Sequence, residues 1–421
     1  MINYIEKKEV TVVDATMGMG KTSWAIQMIN NSPLTHKFIV VTPYLEEIER
    51  IIKATEHKRN FIEPDIRNSK GTKFYSLKQL LEKGSDIVTT HALFKEADKE
   101  ILDLLTLHHY ILIMDEVADV IEKLNITKDD IEHSLMPKLI EVDANGKVIW
   151  KVKDYDGEFK SLKLMVETEK VFLHNGTAFI WEFPIEVFKK FRKVYILTYM
   201  FKAQIQRYFF DIHGLEYNMK SIEVVEPSTT GYTKEYKLVD YRKPDDVTRF
   251  KNLIHICEDE KLNDIGESTS TQGYDNLTFS KLTKLKKSSP IIKTIKNNLY
   301  TFFRHRCKAT SQQVMWACPK DVRKNINPQG YLKGFIPSNK RATNEFMDRN
   351  VCAYILNKFM NPSIVGFFES YDVTVDQDLY ALSELVQWLF RSAIRNDEPI
   401  ELYIPSNRMR TLLKMWLDGQ L

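Results

Sequence analysis

An α/β protein of two domains, each built on a parallel sheet, is what three features of this sequence predict. Short apolar or β-branched runs alternate with helix-compatible segments: Val10–Val13, Phe38–Val41, Asp86–Val88 and Ile111–Met114. Most of these runs are continuously apolar rather than alternating, as befits strands covered on both faces. The 421 residues suffice for two domains of about 150–200 residues each. With 43% hydrophobic and 28% charged residues, the chain has the profile of a globular protein with a substantial core.

The first run, Val10–Val13, leads into Ala15-Thr16-Met17-Gly18-Met19-Gly20-Lys21-Thr22, and Ser23–Ile29 is compatible with a helix. Strand, glycine-containing loop, Lys-Thr and helix form the context that a phosphate-binding loop needs, here with Ala15 in place of the first glycine. Gly18 and Gly20 let backbone N–H groups turn inward as an anion nest at the helix N-terminus. Lys21 is placed for the β and γ phosphates of a nucleotide and the Thr22 hydroxyl for Mg²⁺. The other reading, a glycine-rich turn followed by chance by Lys-Thr, explains neither the strand before it nor the helix after it.

A second apolar run, Ile111–Met114, ends in Asp115-Glu116. Two carboxylates closing a buried strand are costly unless a cation sits there. Mg²⁺ would satisfy Asp115 and leave Glu116 to orient and deprotonate an attacking water. Acidic residues also suit a helix N-terminus, which is the competing reading of the pair. Between the two runs, strand-to-loop junctions place Thr42-Pro43 and Thr89-Thr90-His91 on the same sheet edge as the phosphate loop. There they would serve as contacts to a nucleic-acid backbone or as ordinary turn residues.

Taken in order, ATMGMGKT (15–22), VVTP (40–43), VTTH (88–91), IMDEVAD (113–119) and YILTYMF (195–201) resemble the motifs of a superfamily 2, DEAD/DEAH-like helicase. Thr198 in the last of these resembles the residue that couples nucleotide state to strand movement, and Tyr199 departs from the pattern. In ALSELVQWLFRSAIR (381–395), Gln387, Arg391 and Arg395 stand four residues apart and are predicted to form one stripe on a helix. The family places a glycine where Phe390 stands and spaces its second arginine differently, so the arginine that reaches the γ-phosphate stays open. FIPSNKRATNEF (335–346) resembles the segment touching both nucleotide and nucleic acid, with Arg341, Thr343 and Asn344 as its candidates. The whole chain resembles the compact helicases of phage and prophage replication modules. The resemblance implies two RecA-like P-loop domains and ATP with Mg²⁺. It also implies nucleic acid as partner, single-stranded DNA ahead of RNA, and other replication proteins as further partners.

The first domain is expected over 1–230 and the second over 231–421. Residues 139–183 break the strand-helix rhythm. Asn145-Gly146, Asp156-Gly157 and Asn175-Gly176 are hairpin-turn signals, and Leu139–Val142, Lys147–Lys153, Phe159–Leu164 and Val171–Leu173 are predicted as strands of an inserted β-meander. Such an insertion would act as a wedge between strands or as a brace for its domain. Residues 231–246 are predicted to form the linker and first strand of the second domain, and 258–276 a polar loop. Ser280–Lys308 contains nine Lys or Arg and no Asp or Glu. Its Ile291, Ile292, Ile295, Leu299, Phe302 and Phe303 recur at helical spacing. Lys284, Lys286 and Lys287 are its candidate phosphate contacts, and a solvated helix face is the alternative.

The net charge of +3 sets up no global basic field. The four cysteines (Cys257, Cys307, Cys318, Cys352) form no CxxC pair and are read as reduced thiols in a cytosolic protein. No apolar stretch reaches about 18 residues, so no membrane span is expected. The first ten residues are mixed and charged, unlike a signal peptide. The resulting expectation is a cytoplasmic ATP-dependent helicase or translocase. A packaging-type motor ATPase would need a carboxylate cluster in the second domain, where Asp376 and Asp378 are equally explained as helix caps. An ATP-switched loader without unwinding activity would hydrolyse ATP indifferently to nucleic acid.

Overall fold

The computed structural model describes residues 9–43, 45–95, 98–168, 170–225, 234–242, 245–265, 277–338 and 345–421. It divides into two compact units. One holds the chain up to Ala15, Met19–Tyr241 and Asn361–Val375; the other holds Thr16–Gly18, Arg242–Met360 and Asp376–Leu421.

The first unit carries thirteen strands: β1 (Glu9–Asp14), β2 (Phe38–Thr42), β3 (Phe61–Ile62), β4 (Asp86–Thr90), β5 (Ile111–Asp115), β6 (Ile121–Lys123), β7 (Ile140–Val142), β8 (Val148–Trp150), β9 (Val171–His174), β10 (Ala178–Glu182), β11 (Lys193–Thr198), β12 (Asn218–Val225) and β13 (Glu235–Asp240). Eight of them form one sheet in the order β13-β12-β1-β11-β5-β2-β4-β3. Every pairing in it is parallel except that of β12 with β13. The apolar runs behave as their composition demands: every residue of β2 is buried, as are Ile111–Met114 of β5. Helix Lys21–Asn31 packs on this sheet through Trp24, Ala25 and Ile29.

At the end of the sheet away from the phosphate loop, Arg59 is buried over Phe38, its guanidinium carbon 4.8 Å from the ring centroid. It donates to the carbonyls of Ile29, Ser32, Pro33 and His36 and to the Asp86 carboxylate. The other Asp86 oxygen accepts the Phe38 N–H at 2.9 Å. A single cation thus meets the carbonyl end of helix Lys21–Asn31, where the helix dipole is negative, and pins the starts of β2 and β4.

Three expectations are corrected here. Residues 235–240 do not open the second domain; they pair antiparallel with β12 and complete the first sheet as β13. The insertion is not a continuous meander. β7 and β8 form a separate hairpin, while β6, β10 and β9 form a three-stranded sheet. Phe159–Leu164 is not a strand, because helix Lys160–Glu167 occupies it. Its Leu162 and Val166 are buried at helical spacing while Leu164 is 58% exposed. The Asn145-Gly146 and Asn175-Gly176 turns do close hairpins, with Gly146, Asn175 and Gly176 at positive φ.

A segment from late in the chain completes the first unit. Helix Pro362–Glu369 starts with an Asn361 side-chain cap and buries Ile364, Phe367 and Phe368. Phe368 packs on Tyr208 at 5.6 Å between centroids, and Phe367 meets His174 edge-on at 6.1 Å.

The second unit is a four-stranded parallel sheet in the order β14-β17-β16-β15, made of Ile254–Ile256 (β14), Val314–Ala317 (β15), Val351–Tyr354 (β16) and Ile400–Tyr403 (β17). Helix Pro290–Tyr300 and the π-turn Thr301–Arg306 bury Ile292, Ile295, Leu299, Phe302 and Phe303 against β15 and its neighbours. Helix Asn407–Leu417 follows β17 with Ser406 as its cap. Among the described residues, no helix is long and apolar enough to cross a membrane.

Phe368→Ala should cost about 3–5 kcal/mol of the first unit's stability, as truncation of a fully buried aromatic does. Hydrogen exchange should show the loss around Tyr208 and β6. A loss confined to the second unit's sheet would contradict the assignment of Asn361–Val375.

Candidate active site

The phosphate loop leaves β1 and enters helix Lys21–Asn31 through two left-handed glycines, Gly18 (φ 86°) and Gly20 (φ 84°). Ala15 is not at positive φ, so its methyl group fits where other loops of this kind carry glycine. A Cβ at Gly18 would meet nothing, and only its backbone demands glycine. At Gly20 a Cβ would also run into the ring of Tyr236 from β13. Ala15 and Thr16 are buried, Met17 and Met19 half-buried, and Gly18 exposed at the tip.

The residues singled out for nucleotide chemistry converge. The Thr22 hydroxyl lies 3.3 and 3.5 Å from the two Asp115 carboxylate oxygens. The Lys21 ammonium folds onto the Ala15 carbonyl and bears electrostatically on Asp115. Burial pushes the Asp115 carboxyl up to about 7. The Glu116 and Glu47 charges add to the rise, and Lys21 and Arg50 oppose it. The Asp115 carboxylate with the Thr22 hydroxyl beside it is an oxygen donor pair of the kind a hard cation takes. These residues fit Mg²⁺ and a polyphosphate. Glu116, next in chain, stands at φ 72°, a strained backbone for a non-glycine residue. Its N–H donates to the Leu197 carbonyl at 2.9 Å, which holds the turn in place.

Three groups that sequence reasoning passed over organise this cluster. Asp14, 2% exposed, accepts the N–H groups of Met200 at 3.0 Å and Phe201 at 2.8 Å, where Met200 is left-handed at φ 55°. Burial raises its pKa, against the lowering effect of those two N–H groups, Lys21 and Lys202. The charged residue that ends an apolar run one position before the loop was its only sequence signal. Gln206, fully buried, accepts the Ala118 N–H at 2.8 Å and fixes the DEVAD turn. Tyr236 is the third, and its strand is tied to the loop helix by its N–H donating to Gln27 Oε1 at 3.0 Å.

The remaining candidates fall as follows. Thr198 is buried, and its carbonyl accepts the Ala15 N–H at 3.1 Å. His91 Nε2 donates to the Asp115 carbonyl at 2.9 Å, so the VTTH segment braces the carboxylate strand. Thr42 and Thr89 are buried and present no hydroxyl to a nucleic acid in this conformation, whereas Pro43 and Thr90 are half-buried at the strand ends. Lys284, Lys286 and Lys287 are exposed. Arg341, Thr343 and Asn344 lie outside the described residues.

The predicted stripe of Gln387, Arg391 and Arg395 does not form. The helix ends at Leu389 after starting at an Asp376 cap that accepts the Asp378 and Leu379 N–H groups. Its last turn tightens to i→i−3 bonds at Arg391 and Ser392, and the Ser392 hydroxyl takes the Leu389 carbonyl. Gln387 remains on the helix and half-buried. Arg391 is buried with a 3.4 Å bond to the Ser338 carbonyl, and Arg395 is exposed on a separate 3₁₀ turn. Asp378 pairs with Arg408, so the Asp376–Asp378 pair is used in capping and bridging.

A parallel sheet with a glycine-containing loop after β1 and paired carboxylates at the end of β5, beside a second parallel-sheet unit, defines a two-unit α/β protein. The apo structure of XPD has the same fold: TM-score 0.52 and 11% identity, over 98% of this chain and 96% of that one. The helicase MrfA bound to DNA and AMPPNP aligns at TM-score 0.35 and 11% identity, with 49% of that chain covered. Residues 248–417 match the YonV C-terminal Rossmann-like domain and 121–181 the YonV middle domain. The SPbeta prophage-derived protein YonV of Bacillus subtilis (strain 168) is 37% identical over 98% of this chain and 100% of its own length. The chain belongs to the YonV family.

Asp115 carries a pH signature. Its folded pKa is raised, so its stabilising contribution is complete below the unfolded value of about 4 and is lost as pH rises through about 7. Asp115→Asn should stabilise the nucleotide-free protein at pH 8 by up to about 4 kcal/mol, and the gain should shrink steadily toward pH 4. Denaturant melts of both proteins across that range check the sign.

Proposed function

We propose that this protein is an ATP-dependent nucleic-acid helicase or translocase acting on DNA, in phage replication or recombination, in the cytoplasm. The observation that carries the reading is the convergence of Lys21, Thr22, Asp115 and Glu116 at the ends of β1 and β5, with Thr22 3.3 Å from Asp115. In this reading the loop N–H groups and Lys21 hold the β and γ phosphates, and Thr22 and Asp115 hold Mg²⁺. The bound ion supplies charge neutralisation on the phosphates. Glu116 orients the attacking water and accepts its proton.

The prophage origin of the 37% identical relative supports the phage context. The domain arrangement proposed is two RecA-like units, and a role for Gln387, Arg391 and Arg395 of the second in nucleotide chemistry is assigned by their motif. Thr198 belongs to the coupling path, because its carbonyl carries the first loop residue. Arg341, Thr343 and Asn344 are assigned to the same path by their motif. The nucleic acid proposed is single-stranded DNA in the first instance, with Pro43 and Thr90 as candidate contacts on the first unit and the exposed Lys284, Lys286 and Lys287 as candidates on the second.

The test is steady-state ATP hydrolysis with and without single-stranded DNA, single-stranded RNA and duplex. Single-stranded DNA should stimulate turnover, and Lys21→Ala should abolish it. Glu116→Gln should keep nucleotide affinity within a few-fold and lower kcat by about 10²–10⁴-fold. Hydrolysis indifferent to every nucleic acid would refute the motor, and turnover retained in Glu116→Gln would refute the role given to Glu116.

A further inference from the structure

The phosphate loop anchors one end of a nucleotide, and the order of strands says where the other end goes. Asp115 and Glu116 close β5, two strands from β1 on one side, with β11 between. The γ-phosphate end of a bound nucleotide belongs on that side, because the cation pair and the water-activating carboxylate are there. The base must then extend to the other side of β1, over β12 and β13. What the structure presents on that side is Tyr236.

Four observations place its ring. Tyr236 lies against Gly20, the left-handed residue that caps helix Lys21–Asn31, so closely that glycine is the only residue that leaves room for it. Tyr236 is one of the partly buried hydrophobic residues that pack against the core cluster of the first unit, as Met19 and Met28 are. Its backbone is fixed to the loop helix through Gln27 Oε1 at 3.0 Å and to β12 through the Val224 register pair. The residue is half-buried, so it is not wholly enclosed by the core. A rigid, half-buried aromatic at the start of a phosphate-binding helix is a stacking platform by its chemistry.

We propose that Tyr236 stacks on the base of the bound nucleotide, so that this site reads the base by its π-face and not by hydrogen bonds to its edge. The proposal rests on the nucleotide reading above. Stacking is tolerant, because every base has a π-face, and it favours the larger purine ring system. The substrate class that follows is purine nucleoside triphosphates taken with little distinction between adenine and guanine, and pyrimidine nucleotides taken less well.

The experiment compares equilibrium binding of ADP and of inorganic pyrophosphate to the full chain and to its Tyr236→Ala and Tyr236→Phe variants. Pyrophosphate reports the loop alone, and ADP reports loop and base together. Tyr236→Ala is expected to weaken ADP about tenfold, with pyrophosphate unchanged and Tyr236→Phe within twofold of the parent. ATP and GTP should give KM values within a few-fold of each other in the parent, and CTP a higher one. In Tyr236→Ala the gap in KM between purine and pyrimidine nucleotides should close. Equal weakening of ADP and pyrophosphate would show that the ring only props the loop, and would overturn the proposal. ADP affinity unchanged in Tyr236→Ala, or ATP preferred over GTP by a hundredfold in the parent, would overturn it as well. A parent chain that binds neither ADP nor pyrophosphate would overturn the nucleotide reading itself and this inference with it.

Discussion

The Asp14 carboxylate on the N–H groups of Met200 and Phe201 is the constraint on which the rest of the site depends. A buried carboxylate is tolerable only when its oxygens are satisfied, and these two bonds do that while forcing Met200 into the left-handed region. The turn so formed fixes the end of β11. From that end the Thr198 carbonyl takes the Ala15 N–H and the Leu197 carbonyl takes the Glu116 N–H. One strand terminus thus holds both the loop after β1, at Ala15, and the turn at Glu116. Their separation is a property of β11, not of either motif. Any change in the 198–201 turn is felt at both.

The opposite end of the same helix shows the complementary device. Helix Lys21–Asn31 points its N–H end at the nucleotide side and its carbonyl end at Arg59. The guanidinium is almost fully buried beside Asp86, where a lone cation would be prohibitive. Four carbonyls and a carboxylate make it affordable and hold the helix to the bottoms of β2 and β4. The helix is therefore held at its carbonyl end as well as at its start.

Much of this was legible in the sequence, for a physical reason. A phosphate loop, its strand and its helix are contiguous, so Lys21, Thr22 and their spacing to the apolar run can be read locally. The same holds for Asp115-Glu116, since a strand ending in two carboxylates is locally expensive. What was not legible depends on partners far apart in the chain. Asp14 acquires meaning only from Met200, and Tyr236 only from Gly20. The hairpin-turn signals misled at Phe159–Leu164, which was expected as a strand, whereas Leu162 and Val166 share the buried face of a helix. The arginine stripe failed because periodicity carries no stop signal, and Ser392 ended the helix through a hydroxyl bond to Leu389. The strand at 235–240 went to the first sheet because its pairing partner, β12, had an unfilled edge, which composition does not show.

The return of Asn361–Val375 to the first unit has a consequence for synthesis. The chain leaves that unit at Tyr241, and about 120 residues pass before the segment that seats Phe368 on Tyr208 is made. At typical elongation rates of about 5–20 residues per second, the nascent unit stands open for roughly 6–24 s with an apolar seat unfilled. The first unit emerges first but is completed only after much of the second has been made, and a chain cut short before Asn361 lacks the segment that closes it.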